Sequence, residues 1–300
     1  MRSIIRIAKF VRKGKFDIVH IHCNFYFYLL AILLYHRQVK FCYTIHGDPS
    51  LENRLERKMK SAKYYCFRHS WVFPITISSA LKAVYTKFFN CDIQLIHNGV
   101  KLIAETDSPS SETDRYRITN QTKVFIHAAR ICPEKNQIML CRVFNRLIQE
   151  GADIVLLIAG PIHHRDIYEK MSFFFSNRIQ YIGDRKDIFA LLLSADGMCL
   201  PSCCEGFPMI LLESIASGCI PVCTPVGGIL DIIEDSVHGF LADDCTEESY
   251  YNAIKRFLDL NNKHKQQMKD SCFMRSKDFT IERCSEAYIT YYQKIIANNA

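Results

Sequence analysis

Two glutamates eight positions apart, Glu205 and Glu213, have the types and spacing that could do chemistry. They bound Glu205-Gly206-Phe207-Pro208-Met209-Ile210-Leu211-Leu212-Glu213, with Leu200-Pro201-Ser202 before it and Ser217-Gly218-Cys219-Ile220-Pro221-Val222 after it. The pattern predicts an apolar strand at Gly197–Leu200, a loop that presents one carboxylate, and a helix that carries the second. Pro208 is expected to open that helix at its first position, where the missing N–H would be unpaired anyway. Amides at such a start point outward and, with the helix dipole, make a site for phosphate. Eight helical positions span roughly 12 Å, too far for a close acid–base pair. One carboxylate is therefore expected to face a reacting group from the loop, and the other a hydroxyl-bearing part of the same ligand, which fits a nucleotide sugar.

The segment resembles the E-x7-E signature of retaining, nucleotide-sugar-dependent glycosyltransferases of family 4, which have the GT-B fold. Further segments fall in the order of that family: Asp17-Ile18-Val19-His20-Ile21-His22, Thr44-Ile45-His46-Gly47 and His97-Asn98-Gly99-Val100 in the first part of the chain. Ala129-Arg130-Ile131-Cys132-Pro133-Glu134-Lys135-Asn136 is similar to the family's G-R-L-x-x-E-K-G, and Ile158-Ala159-Gly160-Pro161 to its I-x-G-x-G. Tyr181-Ile182-Gly183 and Thr224-Pro225-Val226-Gly227-Gly228 follow. The resemblance implies an α/β GT-B fold: two Rossmann-like domains with parallel sheets and a cleft between them. Residues 1–117 would be the acceptor-side domain, and residues 118–300 the nucleotide-sugar domain, with a terminal helix (Ile289–Ile296) returning to the first.

The same resemblance implies roles. Arg130 and Lys135 would clamp the diphosphate, Arg with a planar fork and Lys as a point charge, and stabilise charge on the departing nucleotide. Glu205 would lie by the donor sugar, Glu213 by the ribose hydroxyls and His46 in the cleft. Gly160 and the backbone amides of Gly206, Phe207, Ile210 and Leu211 would hold sugar and phosphate oxygens. Neither a metal nor a cofactor is expected, since the nucleotide sugar is the substrate. Family members also begin with a strand and a Gly-rich loop ahead of the helix matching Ile4–Val11; that unit is expected to be missing here, with a weaker first domain as the consequence.

Each residue also has a plainer reading. Arg130 and Lys135 follow a strand end, where α/β folds place ligands, or form a solvated loop pair. Glu205 could cap the following helix. Glu213 could lie on the surface, although Leu211-Leu212 and Ile215-Ala216 flank it, and a buried carboxylate needs partners. His46 ends a strand before Gly47, which suits a structural histidine as well as a site. His20 and His22 alternate along a strand and share one side of the sheet, as core or supporting histidines rather than a metal pair. His163-His164 reads as surface loop.

Composition narrows the class. A chain 49% hydrophobic and 23% charged is ordinary for a globular protein. No run reaches the roughly 18 apolar residues of a membrane span; Phe25–Tyr35 reads as a core helix. Fourteen Cys without C-x-x-C or a signal-peptide pattern argue for a reducing cytosol. The net charge of +7 is concentrated in residues 1–60, with twelve Lys/Arg against four Asp/Glu. Leu51–Lys63 reads as helix and adds Arg54, Arg57, Lys58, Lys60 and Lys63. No nucleic-acid-binding module accompanies the charge. It is a solvated face, or a surface drawn to anionic inner-leaflet lipids or a diphosphate-lipid acceptor.

Short β-branched runs alternate with helical patterns, the signature of parallel α/β layers. Strands are expected at Ile18–His22, Lys40–Ile45, Trp71–Ile77 and Gln94–Ile96, then, after a polar linker at Ala104–Thr122, at Lys123–Ala128, Asp153–Ala159, Gln180–Ile182, Gly197–Leu200, Pro221–Cys223 and Phe240–Leu241. Helices are expected at Asn136–Glu150, Asp187–Ser194, Pro208–Ser217 and Ile229–Glu234, and from Glu247 onward. The expected activity is transfer of a hexosyl group, with retention, from a UDP-linked or similar sugar to a surface-polysaccharide or lipid-linked oligosaccharide acceptor. The alternatives are a sugar-nucleotide epimerase of the same fold and a non-catalytic remnant or partner subunit. A pyridoxal phosphorylase lacks its lysine segment, and an NAD oxidoreductase its G-x-G-x-x-G.

Overall fold

The computed structural model describes residues 2–47, 57–102 and 113–297. The chain divides into two compact units: Met1–Asn98 with Ile281–Ala300, and Gly99–Thr280.

In the first unit, α1 (Arg2–Gly14) leads into β1 (Ile18–Ile21), α2 (Phe25–Tyr35), β2 (Lys40–Ile45), α3 (Lys60–Arg68), β3 (Val72–Thr76), α4 (Ser79–Phe89) and β4 (Gln94–Leu95). The strands are parallel and lie in the order β1-β2-β3-β4. Parallel neighbours need a crossover between them, and the intervening helices supply it. The sheet is covered on both faces, as a parallel sheet must be. Phe25 of α2 and Phe67 of α3 meet Tyr43 on one side, with ring centroids 5.3 and 6.3 Å from it. On the other side the C-terminal helix, Ile281–Ala297, buries Ile295 with Cys42, Ile75 and Ile96, and packs Tyr288, Tyr291 and Tyr292 against them. α1 buries Ala8 and Val11 and carries Arg12 and Lys13 in its last turn, where cations suit the helix dipole. α2 is the expected core helix in burying Phe25, Ala31 and Ile32, while its Leu33 and Leu34 remain about half exposed, at 50% and 55%.

The second unit holds β5 (Lys123–Ala128), α5 (Gln137–Gln149), β6 (Ile154–Ala159), α6 (Arg165–Ser172), β7 (Ile179–Tyr181), α7 (Ile188–Ser194) and β8 (Gly197–Leu200). α8 (Met209–Ala216), β9 (Ile220–Cys223), α9 (Ile229–Ile232), β10 (Phe240–Leu241), α10 (Glu247–Leu258) and α11 (Asn262–Ser276) complete it. All paired strands are parallel, in the order β10-β9-β8-β5-β6-β7. The chain starts in the middle at β5, builds outward through β6 and β7, then returns to the other side of β5 with β8. That reversal between β5 and β8 is the topological switch point at which open α/β sheets bind ligands.

Several boundaries differ from expectation. The division falls between Asn98 and Gly99 instead of 117 and 118. Val100 N–H donates to Phe279 O at 2.8 Å, Thr113 donates to Ser194 O at 2.8 Å, and Arg117 pairs with Asp196 at 2.7 Å, so a residue ahead of the expected linker and two within it are bound into the second unit. Residues 104–112 of that linker and 51–56 of the helix-like Leu51–Lys63 lie outside the described residues. α6 follows directly on His163-His164 and was not expected, since RDIYEKMS offers few apolar residues; only Met171 is buried. α8 begins at Met209, with Pro208 at the cap in extended geometry (ψ 115°).

Among the described residues β1 hydrogen-bonds to β2 alone. A groove of about 530 Å³ runs along it, lined by Ile7 and Phe10 of α1, Tyr28 of α2, and Ile18 and Val19 of β1 itself. An edge strand with a groove beside it opens at little cost. Amide exchange at Ile18–Ile21 is therefore expected to run at least about tenfold faster than at Phe41–Ile45; equal protection in exchange mass spectrometry would show that the edge is covered.

Candidate functional site

The strand ends at the switch point of the second unit collect most of the residues singled out above. Lys135 reaches from the 3₁₀ turn Pro133–Lys135 after β5, and Glu205 from the loop after β8. Lys135 Nζ lies 2.5 Å from Glu205 Oε1, with the side chains 17% and 7% exposed. The same oxygen accepts the Ser202 hydroxyl at 2.6 Å. Thr224, beyond β9, donates to the Ser202 carbonyl, and Cys203 N–H donates to Glu134 O at 2.8 Å. Gly227 closes the ring of contacts: its φ is +53°, and a Cβ there would lie 1.8 Å from the Glu205 carbonyl oxygen. Only glycine allows both the left-handed backbone and that approach. The three loops after β5, β8 and β9 are thus locked together around one carboxylate.

Arg130 follows β5 and is exposed; its guanidinium makes no hydrogen bond among the described residues, while its carbonyl accepts from Gln137 Nε2 at 2.8 Å. That backbone is held from beneath. Buried His127 lies with Nδ1 2.9 Å from Cys199 O and Nε2 3.2 Å from Gln137 Nε2. Since an amide nitrogen only donates, the ring is neutral, with its proton on Nδ1. Burial pushes its pKa down to about 4, and the nearby Lys135 adds to this. Sequence reasoning missed His127, Gln137, Ser202 and the contact of Gly227. Gln137 opens α5 immediately after Lys135-Asn136, which was the available signal.

Glu213 sits half-buried on α8 with no side-chain hydrogen bond among the described residues, and burial raises its pKa. A carboxylate in that state is open to hydroxyl donors. Ile210, at the second position of α8, directs its amide out of the helix start. Leu211 does not: its N–H donates to Pro208 O at 3.1 Å and its side chain is buried. Gly160 likewise has both backbone groups engaged, donating to Gly183 O at 2.9 Å and accepting the Tyr181 hydroxyl at 2.7 Å. Its φ of +135° and a would-be Cβ 2.0 Å from Ala129 O make it the glycine that lets the ends of β5 and β6 approach. Phe207 buries its ring 5.7 Å from Phe279, a core contact; Gly206 beside it is partly exposed.

His46 belongs to the first unit, at the end of β2. It is joined there by His22 and His20 from the end of β1, with His22 Nδ1 3.1 Å from His46 Nε2. Burial and the His22 ring lower the pKa of His46. Both His20 nitrogens are taken, by Tyr292 OH at 2.5 Å and Thr44 Oγ1 at 2.7 Å. Among the described residues no group of three or more His, Cys, Asp or Glu side chains is arranged to hold a metal ion.

Comparison with known proteins identifies the family and the fold. The profile of glycosyl transferases group 1 matches residues 111–271, and that of Glycosyltransferase Family 4 matches residues 1–103. The N-acetyl-alpha-D-glucosaminyl L-malate synthase of Bacillus anthracis is 22% identical, over 98% of this chain and 79% of its own. The Escherichia coli UDP-Gal:alpha-D-GlcNAc-diphosphoundecaprenol alpha-1,3-galactosyltransferase is 26% identical, over 86% and 70%. Among solved structures, a glycosyltransferase from Rickettsia africae superimposes with a TM-score of 0.83 at 19% identity, covering 99% of this chain and 81% of that one. HepE of Anabaena, in complex with UDP and glucose, gives 0.79 at 16% identity over 96% and 81%. These neighbours share the GT-B fold.

Two outcomes test the site's construction. Lys135→Met leaves the Glu205 carboxylate buried and short of its cation, a change expected to cost about 3–5 kcal/mol; an unchanged urea midpoint would show that the loops hold the pair and not the reverse. The depressed pKa of His127 favours its neutral form in the folded state. Its contribution is complete above the unfolded pKa near 6.5 and is lost as the pH falls toward about 4, a loss of up to about 3 kcal/mol. In His127→Gln that part of the acid slope should vanish from denaturation curves.

Proposed function

The chain belongs to the glycosyl transferases group 1 family, and we propose that it transfers a hexosyl group from a nucleoside-diphosphate sugar, with UDP as the nucleotide, to a surface-polysaccharide or lipid-linked oligosaccharide acceptor. The observation that carries this reading is the Lys135–Glu205 pair at the β5–β8 switch point, with the exposed Arg130 guanidinium on the same strand-end loop as Lys135. A diphosphate needs cations that stay charged, and a fork such as Arg130 meets two phosphate oxygens at once. HepE is bound to UDP in its structure, and the E. coli relative is named for UDP-galactose and a diphosphoundecaprenol acceptor; both support a nucleotide-sugar donor, and the second a lipid-linked acceptor.

In this reading Arg130 and Lys135 take the diphosphate, and the charge that builds on it as the glycosidic bond breaks falls on donors already in place. Glu213 accepts from the ribose hydroxyls. Glu205, fixed by Lys135 and Ser202, offers its remaining oxygen to a hydroxyl of the donor sugar, and the amides of Gly206 and Ile210 hold oxygen atoms nearby. His46, within the first unit, is read as a group that binds a sugar hydroxyl. The sugar passes through an oxocarbenium-like state, and the departing phosphate oxygen accepts the proton of the attacking hydroxyl on the same face, so the anomeric configuration is retained. The basic α1, with Arg2, Arg6, Lys9, Arg12 and Lys13, suits an acceptor held at an anionic membrane surface. No helix among the described residues is long and apolar enough to cross one.

A thermal-shift screen of nucleotide sugars, followed by product analysis with and without acceptor, tests the reading. Conversion of the donor without acceptor would make the protein an epimerase, and tight nucleotide binding with no turnover a binding subunit. For the best nucleotide, Arg130→Ala and Glu213→Gln should each weaken binding by about 1.5–3 kcal/mol. Glu205→Gln should slow transfer with little change in nucleotide affinity. Calorimetry giving wild-type affinity for Arg130→Ala would remove that residue from the site.

A further inference from the structure

The first unit carries an arrangement that the assignment of His46 alone does not use. His22, at the end of β1, and His46, at the end of β2, both reach solvent, and their rings lie 5.4 Å apart, centroid to centroid. His22 Nδ1 is 3.1 Å from His46 Nε2. Two imidazole nitrogens at that distance share one proton, because two facing N–H groups would repel and two lone pairs would not bind. Either His22 donates from Nδ1, which places the His46 proton on Nδ1, or His46 donates from Nε2. In both cases the outward nitrogens of the pair are one donor and one acceptor, and the contact survives only while at least one ring is neutral.

The groups around the pair reinforce this. His20 stacks on His22 with centroids 4.1 Å apart. It cannot compete for the shared proton, since its nitrogens are held by Tyr292 of the C-terminal helix and Thr44 of β2. Thr44 is in turn 3.3 Å from Tyr288 OH. Among the described residues the titratable groups around the cluster are imidazoles together with Tyr288, Tyr292 and the Cys42 thiol, whose pKa values burial raises. None of these brings a negative charge that would favour imidazolium; Asp48 lies outside the described residues. His20 is pushed down to about 4 by burial, with His22 and His46 contributing, and burial lowers His22 as well.

We propose that His22 is a positioning residue for His46: by sharing one proton with His46 Nε2 it fixes the orientation and tautomer of that ring and leaves Nδ1 as the nitrogen that meets a sugar hydroxyl. This rests on the reading of His46 as a sugar contact. A neutral ring with a fixed outward nitrogen suits a hydroxyl, which both donates and accepts; an imidazolium would only donate.

The test uses the full chain labelled with 15N-histidine, in wild type, His22→Phe, His22→Gln and His46→Gln. Phenylalanine keeps a ring on His20 and removes the shared proton, whereas the glutamine amide can donate or accept again. The wild-type His46 ring should show one neutral tautomer and a titration midpoint below about 6.5. In His22→Phe it should show mixed tautomers and a midpoint raised toward that value, with His22→Gln returning to a single tautomer. For transfer, His22→Phe should lower kcat by about tenfold to a hundredfold, with the KM for donor within about twofold. The acid limb of its profile should move to higher pH, and His22→Gln should recover most of the rate. An unchanged His46 tautomer and midpoint in His22→Phe would overturn the positioning role directly. Wild-type transfer by His46→Gln would instead remove His46 from the site, and with it the catalytic meaning of the pair, whatever the ring signals show.

Discussion

The contact between Lys135 and Glu205 sets the ligand end of the second unit, because it joins two loops that are distant in sequence and adjacent only through the strand order. β5 and β8 pair directly, so the residues after each emerge side by side. A lysine and a glutamate at those positions would both be costly to bury alone. Together, with Ser202 donating to the same carboxylate oxygen, each satisfies the other. The rest follows from keeping them there. Gly227 must be glycine because the third loop passes against the Glu205 backbone, and Gln137 must be an amide because it bridges the Arg130 carbonyl and a neutral His127.

This construction divides the two cations. Lys135 is already neutralised and nearly enclosed, whereas Arg130 is exposed and free of side-chain hydrogen bonds among the described residues. In the proposed reading an incoming diphosphate gains most of its new attraction from Arg130. Lys135 contributes by being in place, with the desolvation of its ammonium group largely complete before the ligand arrives. A surface lysine would have to be ordered and dried during binding. The cost of holding a charge in a partly closed site is met by Glu205, whose carboxylate is fixed in turn by Lys135 and Ser202.

Much of this was legible in the sequence, for a physical reason. Strands buried on both faces are short, largely apolar runs, and the ends of β2, β5 and β8 were placed to the residue. Glu205, Lys135 and Arg130 stood out because charged residues directly after such runs are positioned by the sheet. What could not be read depends on distances across the fold. Gly227 resembles any turn glycine until its neighbour is known to be the Glu205 carbonyl. Leu211 and Gly160 offer no free amide, because Leu211 donates its N–H to Pro208 O and Gly160 spends its own on Gly183. α6 escaped because its sequence is largely polar and only Met171 is buried. The boundary at Asn98 escaped because Thr113 and Arg117 look like linker residues and are instead bound to Ser194 and Asp196.

The two units also differ in the chemistry they place at their strand ends. The second offers fixed charges, arranged so that one cation remains available to an anion. The first offers imidazoles whose packing lowers their affinity for protons, and whose mutual hydrogen bond would be lost if both rings were charged. A phosphate is best held by permanent charge; a hydroxyl is best held by a neutral group that can donate or accept without displacing a counterion. The C-terminal helix gives this division a structural cause. It packs Tyr288 and Tyr292 against β1 and β2 of the first unit, and the Tyr292 phenol, with Thr44, occupies both nitrogens of His20. His22 and His46 are then left as the pair whose outward nitrogens face solvent. Removing that helix would do more than expose apolar surface: it would free His20 to exchange partners with His22, and the single arrangement of protons at the end of the sheet would be lost.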